Sequence, residues 1–359
     1  MPDYFEIDFL KVDSNKSGDA IAVRYEKNNL TWIHVVDGGY QDTGDQLVEH
    51  INQFYGNPGY IDYVVVSHPD GDHAGGLRTV LDKFQVGQLW MLRPWLYADE
   101  LIDRFSRFKS VDNLIKRLKE IYPNIAALEK IAEDKGITIK EPFQRARIGE
   151  FTVLAPTKSR YLDLVVESDK TPESLQETVS SQTSSFGLLM EKAVSIFRAL
   201  WGQESFSSEE TTPENNMSVV QYANLCNEKI LLTADAGRDT LWEAVRFAPY
   251  AGLALPGIDR FQVPHHGSRR NVSTEILDVL LGDRLPSKPN DGNGTFSAII
   301  SASEKDKDHP KKAVLRALIH RGARVYTTES ANHQTGHNAP PREGYSPASP
   351  VDYPEEQEE

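Results

Sequence analysis

Cysteine is almost missing from this chain: Cys226 is the one such residue among 359. An intramolecular disulfide is therefore excluded, and Cys226, beside a strand-like run, reads as a packing residue. Long apolar runs are missing too. No stretch approaches the roughly 18 to 20 apolar residues of a membrane span, so no membrane partner is expected. The opening MPDYFEIDFL carries acids where an export signal needs basic residues. A cytoplasmic location is the expectation that follows. Positive charge is scarce, with 39 Lys and Arg against 53 Asp and Glu, a net charge of −14. Such a balance excludes a general nucleic-acid coat, which needs a basic surface to displace counterions. Six of the acids (Glu343, Asp352, Glu355, Glu356, Glu358, Glu359) lie from Pro340 onward against Arg342 alone, so the tail carries −5 and the rest −9. With five prolines in the last twenty residues, the segment 339–359 is expected to be a disordered acidic tail.

What is present is concentrated around residues 61–76, IDYVVVSHPDGDHAGG. The nearly unbroken apolar run 61–66 fits a strand buried on both faces. It stops at Ser67, and four side chains able to hold a metal follow: His68, Asp70, Asp72 and His73. A loop at the end of a buried strand can turn such side chains toward a common point. Two imidazoles and two carboxylates suit a divalent cation.

The run His68-Pro-Asp70-Gly-Asp72-His73 resembles the HxHxDH signature of the metallo-β-lactamase fold, with Asp70 where the signature has its second histidine. This HxDxDH form is similar to the subgroup containing the lactamase-like domain of the DNA-uptake protein ComEC. Later stretches carry the same resemblance. FLKVDSNKSGDAIAV resembles the ComEC-type opening FLDVGQGDA, with a longer turn, and Asp37-Gly38-Gly39 falls where the family has its first aspartate. Asn215-Asn216-Met217-Ser218 looks like an Asn-Asn-x-Ser element, placed where other members have a histidine ligand. KILLTADA (229–236) resembles Leu-Leu-Thr-Gly-Asp, with Ala234 for the glycine. Val263-Pro-His265-His266-Gly-Ser268 resembles Pro-His-His-Gly-Ser, and ComEC-type chains also carry a His-Pro like His309-Pro310.

The resemblance implies an α/β fold, an αββα sandwich with metals at one edge. It implies the ligands His68, Asp70, Asp72, His73, Asp235 and His265, with Asp235 shared between two divalent ions, Zn²⁺ or Mn²⁺. Asp37, Asn216 and Ser218 would support them, and Asp72, His266 and His309 would take part in catalysis, His266 as a second ligand or a proton donor. Adjacent histidines cannot share one face of a strand, so a loop is implied at His265 and His266. With Asp70 and Asn216 replacing imidazoles, the site is expected to be richer in oxygen, which moves preference toward Mn²⁺ or Mg²⁺. Ser268, Arg269 and Arg270 are candidate substrate contacts, the arginines as charge-assisted donors to a phosphate. A phosphodiester, in a nucleic acid or nucleotide, is the expected substrate. The alternatives are a small thioester, lactam or other carboxylic substrate, or a non-catalytic metal-binding interaction protein.

Strands are expected over 5–12, 19–27 and 31–37, separated by turn signals, with a helix opened by a Thr43/Gln46 capping box. Another helix is expected over 77–84, and helical spacing fills 98–135, where Arg104, Arg107 and Lys109 read as a solvated face. Strands follow over 151–156, 229–236 and 296–303. Pro310 is expected at the first helical position of a helix running to 321, leaving His309 at its cap. Residues 1–338 are read as one hydrolase domain with insertions at about 94–140 and 158–215. The second insertion holds an amphipathic helix candidate at 185–201, striped by Leu188, Leu189, Ile196, Phe197 and Leu200. No internal repeat is visible, and His333 and His337 are assigned no function.

Overall fold

The computed structural model describes residues 4–106, 108–168, 170–171, 196–289 and 294–359. The first half runs β1 (Tyr4–Phe9), β2 (Ala20–Lys27), β3 (Leu30–Gly38), α1 (Thr43–Phe54), β4 (Tyr60–Val65), α2 (Gly71–Ala74), α3 (Leu77–Lys83) and β5 (Gln85–Trp90). It continues through α4 (Ala98–Leu101), α5 (Val111–Ile121) and α6 (Pro123–Lys135) to β6 (Thr138–Lys140). The second half begins with β7 (Arg147–Ile148), β8 (Phe151–Ala155), α7 (Lys158–Glu167), β9 (Ile196–Arg198) and α8 (Pro213–Asn216). Then come β10 (Val220–Leu225), β11 (Glu228–Leu232), α9 (Arg238–Phe247), β12 (Arg260–Gln262), α10 (Thr274–Leu281) and β13 (Phe296–Ile300). The chain closes with α11 (Lys312–His320), β14 (Ala323–Thr327), β15 (His333–His337) and β16 (Glu356–Glu358).

Two seven-stranded sheets result, ordered β15-β1-β2-β3-β4-β5-β6 and β14-β13-β12-β11-β10-β8-β7. Their pairings follow one pattern. β1, β2 and β3 are antiparallel and β3 to β6 parallel; β8, β10 and β11 are antiparallel and β11 to β14 parallel. The chain thus repeats a topology without repeating a sequence, since each half needs only the same order of apolar runs. One core joins α1, α3, α5 and α6 to the first sheet and to the inner face of the second, through Phe151, Val153, Ile230 and Leu232. The other lies between the outer face of the second sheet and α9, α10 and α11. This is the expected αββα layering. Loops at the carboxyl ends of parallel strands gather along one edge, where ligands bind in open α/β sheets.

Several local expectations change. Thr43 is the first helical residue of α1 and Asp42 its cap, with no side-chain capping bond, so the Thr43/Gln46 pair does not open the helix. Residues 94–140 are not simply inserted, because β6 extends the first sheet beside β5 and α6 packs on α3. Residues 185–195 and Arg107 lie outside the described residues. The end of the supposed helical stripe is different: Ile196 and Phe197 are in β9, and Leu200 is exposed. Pro310 is not at the first turn, since α11 starts at Lys312 with Lys311 as its cap. His333 and His337 sit in β15, which adds a strand to the edge of β1.

The tail departs most from expectation. Residues 339–359 are not a loose segment: β16 pairs with β9, and the Glu358 carboxylate accepts from Lys312 N and Ala313 N, both at 3.0 Å. A carboxylate at a helix N-terminus is favoured by the free N–H groups and the dipole. Arg342 is buried, with its guanidinium 2.6 Å from Asp8 Oδ1 and 2.7 Å from Glu6 Oε2. Composition suggested disorder, but these acids and this arginine find partners far away in sequence.

Candidate metal centre

The first sheet supplies the loop after β4. Its shape depends on Asp37, one residue before the end of β3 and in the left-handed region at φ 58°. Asp37 Oδ1 accepts from Ser67 N at 2.8 Å, and Oδ2 accepts from His73 Nδ1 at 2.8 Å and from the Ser67 hydroxyl. That hydroxyl lies 3.2 Å from His68 Nδ1 and can accept its proton. A Cβ on Gly76 would collide with Gly38 O, so the two loops touch only because both residues are glycine. Asp37 thus ties the Ser67 backbone and the His73 ring together.

The second sheet supplies the other wall. Ala234, at φ 47°, turns the chain after β11 and presents Asp235, which is 2% exposed. His265 and His266 follow β12 in a tight turn, at φ 46° and 54°. Left-handed backbone at both positions is costly for non-glycine residues and is held here by the surrounding structure. It lets neighbouring imidazoles point to different sides of one carboxylate. His266 Nδ1 donates to Ser301 O at 2.8 Å. His265 Nδ1 donates to Asn271 Oδ1 at 2.9 Å, and the Asn271 amide nitrogen in turn donates to Asp235 O at 2.9 Å.

With each Nδ1 engaged, the Nε2 atoms converge on Asp235. Oδ1 lies 3.3 Å from His73 Nε2 and 3.8 Å from His266 Nε2. Oδ2 lies 3.7 Å from His68 Nε2 and 3.6 Å from His265 Nε2. Asp72 Oδ2 joins the first group, 3.9 Å from His73 Nε2 and 3.8 Å from His266 Nε2. In that inner lobe, ligand atoms of Asp72, His73, Asp235 and His266 all lie within 4.8 Å of one another. The outer lobe has His68, His265 and the second oxygen of Asp235. Buried atoms His68 Nε2, His73 Nε2, His266 Nε2 and Asp235 Oδ1 have no hydrogen-bond partner among the described residues. Orphaned buried polar atoms are costly. The donors of the inner lobe fit a divalent cation.

The electrostatics agree. Burial would raise Asp235, yet His265, His73 and His266 hold it well below the usual carboxylate range. Burial would lower His266, but Asp235 and Asp72 push it up to about 9; Asp235 and Asp37 likewise carry His73 well above its usual value. Asp72 is held at about 2, against burial, by His266 and His73. Without cations, protons on these rings supply the positive charge the carboxylates need.

Not every expected residue joins. Asp70 turns to Lys170, with Lys170 Nζ 2.6 Å from its Oδ1. Asn216 does not face the centre: its Oδ1 accepts from Thr240 Oγ1 at 3.1 Å, and Asn215 lies beside His265, 3.0 Å from Nδ1. Ser218 is buried, its hydroxyl without a partner among the described residues. Ser268 accepts from Arg270 N at 3.2 Å. Arg269 is held by Ser205 Oγ at 3.3 Å and Glu359 O at 2.7 Å, and Arg270 by Glu209. Both arginines thus have acidic or carbonyl partners already. His266 Nε2 reaches the inner lobe, so each lobe has a pair of imidazoles.

His309 stands at the mouth, its ring 5.5 Å from that of His265, with Nδ1 3.2 Å from Asp306 Oδ2. Burial, then repulsion from His266 and His265, pulls it down to about 4. Sequence reading missed four neighbours: Asp19, Tyr40, Gln262 and Asn271. Tyr40 is pushed up to about 12 by burial and then by Asp72, so its phenol stays neutral. Only the Gly-Asp-Ala of the opening gave a signal for Asp19; the others sit in runs with no motif.

Residues 17–142 match the family described as Metallo-beta-lactamase superfamily. No curated protein matches the sequence. Among solved structures, the metallo-beta-lactamase fold protein YhfI from Bacillus subtilis is 10% identical over 92% of this chain and 100% of its own, with a TM-score of 0.39. A diphosphatase from the PhnP family is 10% identical over 93% of this chain and 98% of its own, with a TM-score of 0.36. The dizinc quorum-quenching lactonase AidC is 14% identical over 60% of this chain and 56% of its own, with a TM-score of 0.30. The matched residues span β2 to β6 of the first sheet, so the likeness to the Metallo-beta-lactamase superfamily rests on that half of the two facing sheets.

Proposed function

We propose that this chain is a phosphodiesterase or nuclease-type hydrolase, with two divalent ions, Zn²⁺ or Mn²⁺, held by the inner and outer lobes. One observation carries the reading: four imidazoles, each steadied at Nδ1, aim Nε2 at opposite oxygens of the buried Asp235. Bound there, divalent cations would lower the pKa of water and neutralise charge developing on the scissile group. Asp72, His73 and His266 would hold one cation and His68 and His265 the other, with an oxygen of Asp235 available to each. Asp37, Asn271 and the Ser301 carbonyl keep the rings in the tautomer that leaves Nε2 available. His309, with Asp306 accepting at its Nδ1, is the imidazole placed to exchange a proton with a leaving group. The resemblance to the ComEC lactamase-like domain supports a phosphodiester.

A second reading, a small carboxylic substrate such as a thioester or lactam, is favoured by the partners that already occupy Arg269 and Arg270. Hydrolysis screens with Mn²⁺ or Zn²⁺ on single-stranded DNA, RNA, small nucleotides, thioesters and lactams separate the two. Faster cleavage of a carboxylic substrate than of any phosphodiester would end the nuclease reading.

The lobes should fill unequally. The inner one has four protein donors and the outer one three, because Asp70 is held by Lys170. Titration of chelator-treated protein with Mn²⁺ is expected to show two affinities, differing about tenfold or more, as ligand number and charge tune binding. Absence of any bound ion, by elemental analysis after purification without chelator and after Mn²⁺ addition, would remove the basis of the proposal.

Replacing Arg269 and Arg270 together with Ala should raise KM for a phosphodiester, with metal content unchanged, because binding common to ground and transition states is lost. Steady-state kinetics at fixed ionic strength check this. Unchanged kinetics would clear the arginines of a phosphate role.

A further inference from the structure

We propose that Asp19 and Gln262 form a positioning pair that locks the two halves of the metal centre in register, so that Asp72 and Asp235 face one another across the inner lobe at the separation a shared ion requires. The proposal rests on the two-ion reading of the centre and assigns a role to residues outside the ligand set. Asp19 immediately precedes β2 of the first sheet, and Gln262 ends β12 in the second. Both are 2% exposed. Gln262 Nε2 donates to Asp19 Oδ2 at 3.0 Å, a side-chain bond that spans 243 residues of sequence.

Each partner also grips a ligand-bearing loop. Gln262 Oε1 accepts from Thr233 N at 2.9 Å and from Ala234 N at 3.1 Å, and the Thr233 hydroxyl donates to Gln262 O at 2.8 Å. These bonds hold the left-handed turn at Ala234, directly before Asp235. On the other side, Asp19 N donates to Asp72 O at 3.1 Å, and Asp19 O accepts from Gly39 N at 2.6 Å. A Cβ on Gly18 would lie 2.7 Å from Asp72 O, so the β2 entry presses against the Asp72 loop. A chain of contacts therefore runs from the Asp72 loop through Asp19 and Gln262 to the Asp235 loop. The ligands of the inner lobe come from both ends of this chain. If the bridge is cut, each loop keeps its own local bonds, but their spacing is no longer fixed.

Gln262 donates and Asp19 accepts, so the polarity of the bridge can be reversed. In Asp19→Asn/Gln262→Glu, the carboxylate introduced on β12 still accepts from Thr233 N and Ala234 N, while the amide introduced just before β2 now donates across the gap. Gln262→Glu alone sets two carboxylates against each other, and Asp19→Ala removes the acceptor. Mn²⁺ alone is the probe, with uptake measured by titration and adjacent ions read from the exchange-coupled electron paramagnetic resonance signal. Folding is checked by circular dichroism.

Asp19→Ala and Gln262→Glu are each expected to weaken Mn²⁺ binding about 10- to 100-fold, the usual cost of losing an outer support, and to diminish the coupled signal. The reversed pair should recover most of both. Wild-type Mn²⁺ affinity and coupling in both single variants would overturn the proposal, as would losses that add in the double variant. Should Gln262→Glu fail to fold, Asp19→Asn takes its place. Asn retains an oxygen for Gln262, so it should hold Mn²⁺ where Ala does not, and equal behaviour of the two overturns the proposal. A wild-type protein that takes up no Mn²⁺ overturns the two-ion reading itself, which is a different result from a wild type that binds two ions and variants that match it.

Discussion

Asp235→Asn is expected to abolish useful turnover while leaving the protein folded. Asn has the same shape, and the backbone around position 235 is held by Asn271 and Gln262 rather than by the carboxylate itself. What disappears is the charge between the lobes. The carboxylate directs Oδ1 toward His73 and His266 and Oδ2 toward His68 and His265. An amide has one oxygen and no charge, so it can serve one lobe at most. The other lobe keeps two imidazoles and loses its bridging anion. A fall of at least about a thousandfold in kcat/KM corresponds to roughly 4 kcal/mol of lost transition-state stabilisation. Metal content should fall together with activity. A folded variant with both ions and near-normal turnover would show that Asp235 is not shared.

How much of this was legible beforehand follows from where the contacts lie. The loop 67–73 is local: a buried strand ends and its ligands follow within six residues, so pattern alone marks it. Asp235 and the His265-His266 turn were likewise readable, because each closes a strand and carries its own short motif. Roles within the motifs were less visible. Whether His266 is a ligand depends on left-handed backbone at two adjacent residues, which no spacing rule reports. Asp70 has the right spacing, but Lys170, a hundred residues later, holds it. Asn271 and Gln262 were missed because an amide inside an ordinary run becomes informative only when the second sheet lies against the first. Composition misread the tail for a related reason: it counts prolines and acids but not the N–H groups of α11 that donate to Glu358.

The tail also supplies the largest effect expected on stability. Arg342 lies in a buried cluster, its side chain 4% exposed against 0% for Glu6 and 1% for Asp8. Its guanidinium packs 4.7 Å from the Phe54 ring centre, and Asp8 also accepts from the Tyr55 hydroxyl at 2.7 Å. Arg342→Met keeps much of the apolar stem but leaves the carboxylates short of a partner, the kind of loss that costs about 3–5 kcal/mol. Arg24 and His50 remain beside Glu6 and Asp8, so the lower end of that range is expected. Burial would raise Asp8, but His50 and Arg342 together hold it below its usual value. A carboxyl lowered on folding contributes stability above its unfolded pKa of about 3.9 and loses it as pH falls through the folded value. The gap between wild type and variant should therefore be full at neutral pH and shrink below about pH 4, where protonation removes the charge that Arg342 neutralises. Urea unfolding across a pH series measures it. A gap under about 1 kcal/mol at pH 7, the range of an exposed ion pair, would mean that Arg342 does not fasten the tail to β1.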